Sequence, residues 1–236
     1  SLAPSMEAAS SELRRQWIAL AANERVAAAA ELLERWARTP DDEPRVRAAA
    51  LRALGTLAPA NLVDVLRATL FDTHSEVRAA AIEALVAARP EEAPALLEGA
   101  LSGSVAERRV AYTALARLSD ERSLQLLGSE LEKLDAGLVP GEAALDLVTA
   151  CEQRKAPLLQ SYLDARAERR ARDPKLARYL DSLHGGDAQR GQQLFRTKNE
   201  LECLRCHVAE GTEGGLIGPS LAGLSQRATR LEMVES

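Results

Sequence analysis

The chain comprises 236 residues with 30 basic and 35 acidic side chains, a formal net charge of -5, and a composition that is 46% hydrophobic but only 3% aromatic. That length can bury a sizeable core in one or two domains, which excludes a peptide or a disulfide miniature. Alanine occurs 44 times and leucine 38 times against seven Phe, Trp and Tyr together, the balance of packed helices rather than of a sheet sandwich. The basic set, 26 Arg and four Lys, is spread along the chain, so no basic block points to nucleic acid. The apolar runs fall well short of the ~20 residues of a membrane span, and residues 1–30 lack the apolar region of a secretory signal. The chain begins with Ser1, which leaves room for a removed signal peptide or an upstream domain.

From the N-terminus to residue 184 the governing feature is repetition. Leu54, Leu85, Leu115 and Leu147 recur at steps of 31, 30 and 32 residues. Leu66, Leu97, Leu127 and Leu159 follow twelve residues later, and Leu70, Leu101, Leu131 and Leu163 keep the register. Stepping back 34 residues from the first set meets Leu20, Leu32 and Trp36. This period predicts five units of two helices each. In the first helix of a unit, Val77, Ala81, Ala84 and Leu85 share one face, and small alanines predict close approach of neighbouring helices. Leu66 and Leu70 on a second helix close the other side of a thin two-layer core. One such pair cannot bury its own apolar face, so the units are expected to stack into an α-solenoid.

These residues resemble the HEAT repeats and their short bacterial relatives, which share an Asp-x5-Arg spacing and a Val-Arg-x-Ala-Ala pattern. Asp41 precedes Arg47 by six and Asp72 precedes Arg78 by six, with Val46-Arg47 and Val77-Arg78 opening the helices. The resemblance, over about residues 8–170, implies that these acids and arginines tie successive units together. In the unit of Leu115, Ser102 stands six before Arg108, which predicts an interrupted ladder there.

Beyond the repeats, residues 165–184 carry Arg166, Glu168, Arg169, Arg170, Arg172 and Asp173, which read as a solvated helix face. Pro174 is expected to open a last helix ending near His184 and capping the solenoid. Six glycines precede residue 185 and eight follow residue 184, whereas alanine falls from 40 to four. The pair Gly185-Gly186 is therefore the predicted boundary between a repeat domain, residues 1–184, and a second segment, residues 185–236. His74 is expected on the surface of a turn, and Cys151 as a small apolar side chain inside a helix.

The second segment contains the only compact chemical motif, Cys203-Leu204-Arg205-Cys206-His207. Three cysteines in the whole chain, an odd and sparse count, exclude a disulfide framework. The pentapeptide matches the attachment sequence for a c-type haem: thiols three apart lie on one side of a helical turn, where each can form a thioether, and the next residue reaches the iron. A zinc site would need a fourth ligand that no second Cys/His pair supplies. A thioredoxin-like redox pair would need a βαβ context. A Cys203–Cys206 disulfide is open to a chain that never received haem.

The flanks resemble class I cytochromes c. Gly186 to Phe195 is similar to that family's first helix, and Gly218-Pro219-Ser220-Leu221-Ala222-Gly223 matches its Gly-Pro-x-Leu-x-Gly stretch. The resemblance implies an all-α chain, a solenoid followed by a partial cytochrome c-like helical segment. It further implies covalent haem c on Cys203 and Cys206, His207 as proximal iron ligand, and the Pro219 carbonyl as partner of the second ring nitrogen of His207. The family's distal methionine is matched here only by Met233, expected instead to pack within a helix; His184 is a remoter candidate. The chain so read is a cytochrome cut short, with the proximal half and without the distal half. Repeats followed by such a segment resemble the multidomain haem-binding proteins of planctomycetes, in which a dehydrogenase-like propeller often precedes the repeats.

The expected function is electron transfer by a haem held on a HEAT-repeat scaffold, with a redox protein or an upstream dehydrogenase domain as partner. The alternative is an interaction scaffold whose function resides in the solenoid, with a protein partner on its surface. No phosphate loop, nucleophile context or carboxylate cluster points to an enzyme on these residues. Thioether attachment implies a place outside the cytoplasm, the bacterial periplasm or cell envelope.

Overall fold

The computed structural model describes residues 9–170, 177–183, 188–198, 202–210, 213–215 and 217–235. The first stretch folds into five helix pairs: α1 Ser11–Asn23 with α2 Ala30–Arg38, α3 Pro44–Leu57 with α4 Leu62–Thr69, α5 Ser75–Ala88 with α6 Ala93–Ala100, α7 Val105–Arg117 with α8 Glu121–Asp135, and α9 Gly141–Arg154 with α10 Pro157–Arg170. Their ends have local causes. Ser10 caps α1, Asp120 caps α8 by accepting from Ser123 N at 2.8 Å, and Ser104 with Glu107 forms a reciprocal capping box on α7. Pro44 and Pro157 open α3 and α10, and Ala58 and Lys155 close α3 and α9 in left-handed conformation.

The first helices α1, α3, α5, α7 and α9 pack one on the next, most extensively α3 on α5. Their alanines allow this: Ala48, Ala50, Ala53, Ala80, Ala81 and Ala84 are all buried. The second helices of the middle units wedge between their own first helix and the next. The leucine register falls in this seam, with Leu54, Leu66, Leu85, Leu97, Leu115, Leu127, Leu147 and Leu159 all fully buried. Each contributes about 2 kcal/mol of burial. Helix α5 is shared, with Val77, Ala81 and Leu85 in the core of the preceding units and Ile82 in that of the following ones, as stacking requires.

The register departs from expectation at the N-terminus, where Leu20 is 58% exposed. In α1 the buried positions are Ile18 and Ala21, and Leu20, two residues past Ile18, lies about 200° around the helix. Trp36 is buried as expected and meets Trp17 edge-on at 5.6 Å, with the Arg14 guanidinium over its ring.

An arginine ladder joins the units, but its acids shift. Arg47 of the second unit is buried and pairs with Asp72 of the third, while Arg14 pairs with Asp42 at 2.7 Å. Asp41, one residue earlier, is exposed. The ladder also runs on where an interruption was expected: Arg78 binds both carboxylate oxygens of Glu107 at 2.9 Å. Glu107 reaches that place because the Ser104 capping box turns it back toward the helix start. Arg108 then reaches the fully buried Glu130 at 3.4 Å, which also accepts from Tyr112 Oη at 2.7 Å and pairs with Lys133 at 2.7 Å.

The C-terminal end of the stack is covered by a 3-10 helix, Ala177–Leu183, lying against α9 and α10. Arg166, expected in a solvated face, is instead drawn in by Asp135 and, at 3.0 Å, by Asp181. Glu168 is exposed. The side chains of Arg169 and Arg170, together with Arg172, Asp173, Pro174, His184 and the Gly185-Gly186 boundary, lie outside the described residues.

Candidate functional site

The second segment begins with α11, Ala188–Thr197, which packs on a single-turn helix, α12 Cys203–Cys206. Cys203 and Cys206 are half-buried free thiols on that turn. The His207 N–H donates to Cys203 O at 3.1 Å and ends the turn, and the extended backbone of His207 (φ -111°, ψ 141°) carries the ring away from it. A short antiparallel hairpin follows, β1 Val208–Glu210 with β2 Glu213–Gly214, pairing Val208 with Gly214.

The hairpin returns the chain alongside α12. Gly215 N donates to Leu204 O at 2.8 Å, Gly218 N to Cys206 O at 2.7 Å, and Leu221 N to Val208 O at 2.8 Å. No side chain fits in that seam: a Cβ on Gly215 would collide with the Arg205 carbonyl oxygen, and one on Gly218 would lie 2.7 Å from His207 Cε1. The result is that Pro219 O stands 2.8 Å from His207 Nδ1. A carbonyl oxygen only accepts, so Nδ1 carries a proton, and in the neutral ring that leaves the lone pair on Nε2. Arg227 fixes the loop beyond by donating to Ser220 O at 2.9 Å and Ala222 O at 3.0 Å.

This donor set fits a c-type haem. Two thiols share one turn, one imidazole is oriented by its second nitrogen with Nε2 available to iron, and Ile217, 86% exposed, offers uncovered apolar surface beside the glycine seam. Among the described residues no group of three or more His, Cys, Asp and Glu side chains is placed to hold a metal ion. A hollow of 250 Å³ beside Cys203 is lined by Phe195, Arg196, Lys198, Glu202 and Leu204.

The remaining candidates lie elsewhere. Met233 is half-buried on α14, Arg230–Glu235, which follows α13, Leu224–Arg227, and packs on Ala177–Leu183; Arg230 donates to Leu183 O at 2.8 Å. Cys151 is buried within α9, and burial pushes its thiol up to about 12. His74 is exposed in the turn just before α5, as expected, its backbone N–H donating to Asp72 Oδ1 at 2.9 Å. The hairpin, Gly215, Arg227 and Ile217 were not singled out from the sequence. Their one signal is the cluster Gly211, Gly214, Gly215 and Gly218 behind His207.

Residues 29–111 match the family model of HEAT repeats. That span runs from the 3-10 turn before α2 into α7, and over it the stacked helix pairs are similar to HEAT repeats. No curated protein and no solved structure matches the chain. HEAT repeats commonly mediate protein interactions, so the comparison favours the scaffold reading and bears only on the solenoid. Among the described residues no helix is long and apolar enough to cross a membrane.

Proposed function

We propose that this chain is a HEAT-repeat interaction scaffold that carries a covalently attached c-type haem on residues 185–236 and serves in electron transfer. The scaffold half is supported by the family match over residues 29–111. The haem half is supported by one observation above all, the 2.8 Å approach of His207 Nδ1 to Pro219 O directly after a Cys-x-x-Cys turn with free thiols. A haem bound there supplies a one-electron iron couple. Cys203 and Cys206 would hold it by thioethers and His207 would ligate its iron. Pro219 keeps the imidazole in one tautomer and raises its basicity, and Gly218 lets the loop lie flat against the ring. Met233 packs at the end of the solenoid, and no distal role is assigned to it. The partner is a redox protein or a dehydrogenase domain, and the site of action is outside the cytoplasm, where thioethers are formed.

The test is expression with a periplasmic c-type maturation system, followed by denaturation and dialysis. Colour that stays with the polypeptide, with a pyridine haemochrome of the c type, is expected; complete loss of colour refutes covalent attachment. The family match also favours a second reading, a scaffold acting without haem. Partner capture by the full chain that is unchanged in a Cys203→Ala/Cys206→Ala variant assigns partner binding to the solenoid.

A further inference from the structure

The layer of first helices forms the inner wall of the solenoid. One hollow of 720 Å³ is lined from α1, α3, α5, α7 and α9 together, and a second of 350 Å³ continues it between α5 and α7, the two sharing Arg109 and Val110. The first helices approach one another more closely than the second helices do, and the layer with the shorter spacing is the concave one in a curved stack.

The chemistry of this groove differs from that of the chain. The protein as a whole is acidic, with a formal charge of -5. The groove presents Arg15, Arg45, Arg52, Arg109, Arg117 and Arg190 against Glu76, Glu83 and Asp146. Arg52 is paired with Glu83 at 2.7 Å and Arg109 with Asp146 at 2.8 Å, and Arg15 with Glu12 outside the hollow. Arg45 and Arg117 are exposed and make no ion pair or hydrogen bond among the described residues. Beside Arg117 the wall turns apolar, through Val86, Val110, Ala114 and Leu118.

We infer that this inner groove is the docking site for an acidic segment of a partner protein, whose carboxylates meet the arginines while a large apolar side chain enters the Val86–Leu118 hollow. The apolar wall favours a peptide over a phosphate backbone, which has nothing to place there. The site also lies beside the second segment. Ala188, Gln189 and Arg190 at the start of α11 line the groove, and Phe195 and Arg196 near its end line the hollow at Cys203. A helix of ten residues spans about 15 Å, so a partner seated in the groove comes within one helix length of the cysteines. This last consequence rests on the proposed haem attachment; the docking itself does not.

The test uses the full chain, both haem-loaded and haem-free with alkylated thiols, and fluorescence anisotropy of a labelled synthetic peptide in which Glu alternates with Leu. Saturable binding weakened by salt is expected in both forms, with no binding of the Lys-Leu counterpart. Arg45→Glu with Arg117→Glu should weaken it about tenfold or more. Arg67→Glu with Arg122→Glu, the same charge change on the second helices, should leave it within about twofold. Circular dichroism melting establishes that each variant is folded. Equal loss in both double variants, binding of the Lys-Leu peptide, or tighter arginine-dependent binding of a labelled single-stranded oligonucleotide would overturn the inference. Peptide binding by a chain that never retains haem sinks the electron-transfer reading and leaves the groove standing.

Discussion

Replacing Glu107 by Gln tests the ladder at the unit where the sequence suggested a gap. Both carboxylate oxygens of Glu107 accept from Arg78 at 2.9 Å, and Ser104 N donates to one of them at 2.9 Å. The Arg78 guanidinium holds the Glu107 carboxyl down at about 2 against the usual 4.5, overcoming the opposing effect of burial, with Ser104 adding to the depression. A depression of this size corresponds to roughly 3 kcal/mol at ~1.36 kcal/mol per pH unit. Because the folded value is the lower one, the contribution is complete above pH 4.5 and drains away as pH falls toward 2. E107Q should therefore lose about 3 kcal/mol in urea unfolding at pH 7, and the gap to the parent chain should close as pH falls toward about 2. A double-mutant cycle with Arg78→Gln should assign about 2 kcal/mol or more of this to the pair. A loss that stays constant with pH, or a coupling below about 0.5 kcal/mol, would refute the reasoning.

Other outcomes follow from the same geometry. Tyr112→Phe removes the 2.7 Å bond to buried Glu130 and should cost about 1.5–3 kcal/mol in thermal or chemical unfolding, the range for bonds to charged groups. In haem-free protein a disulfide-exchange reagent at pH 8 should titrate two thiols quickly, Cys203 and Cys206, while Cys151, buried and raised to about 12, reacts only on unfolding; three equally fast thiols would contradict its burial. Gly218→Ala places a methyl 2.7 Å from His207 Cε1, so haem retention after denaturation should fall sharply while the solenoid melts at an unchanged temperature. Leu97→Ala in the fully buried seam should cost about 2–5 kcal/mol, and a smaller loss would show that the stack relaxes around α6.

How far the sequence could be read differs by element. The five helix pairs were legible because burial repeats with the chain: a leucine wedged between stacked helices recurs wherever the unit recurs, at Leu54, Leu85, Leu115 and Leu147. Leu20 escaped this logic because α1 turns Ile18 and Ala21 into the stack, and the position 34 residues before Leu54 lies on its other face. Asp41 and Ser102 misled for a related reason. A ladder arginine takes whichever carboxylate the next unit brings within reach, Asp42 for Arg14 and Glu107 for Arg78, and a spacing rule cannot see a capping box. Arg166 read as solvent-facing because its acids, Asp135 and Asp181, are 31 and 15 residues away.

The site divides along the same line. The Cys-x-x-Cys-His turn is a local arrangement, so its residues and their order around one helical turn were set by the sequence itself. The approach of Pro219 to His207 and the glycine seam that permits it depend on a hairpin returning the chain across α12, and the inner groove depends on arginines from helices some thirty residues apart sharing one wall. Sequence alone determined the repeat, the helices and the chemical identity of the cysteine turn, because the helices and the turn rest on neighbours within one or two helical turns and the repeat on their recurrence along the chain. Tertiary packing alone decided which acid completes each arginine pair, that Leu20 of α1 faces water, and which face of the stack curves inward, because those outcomes depend on where distant helices come to rest.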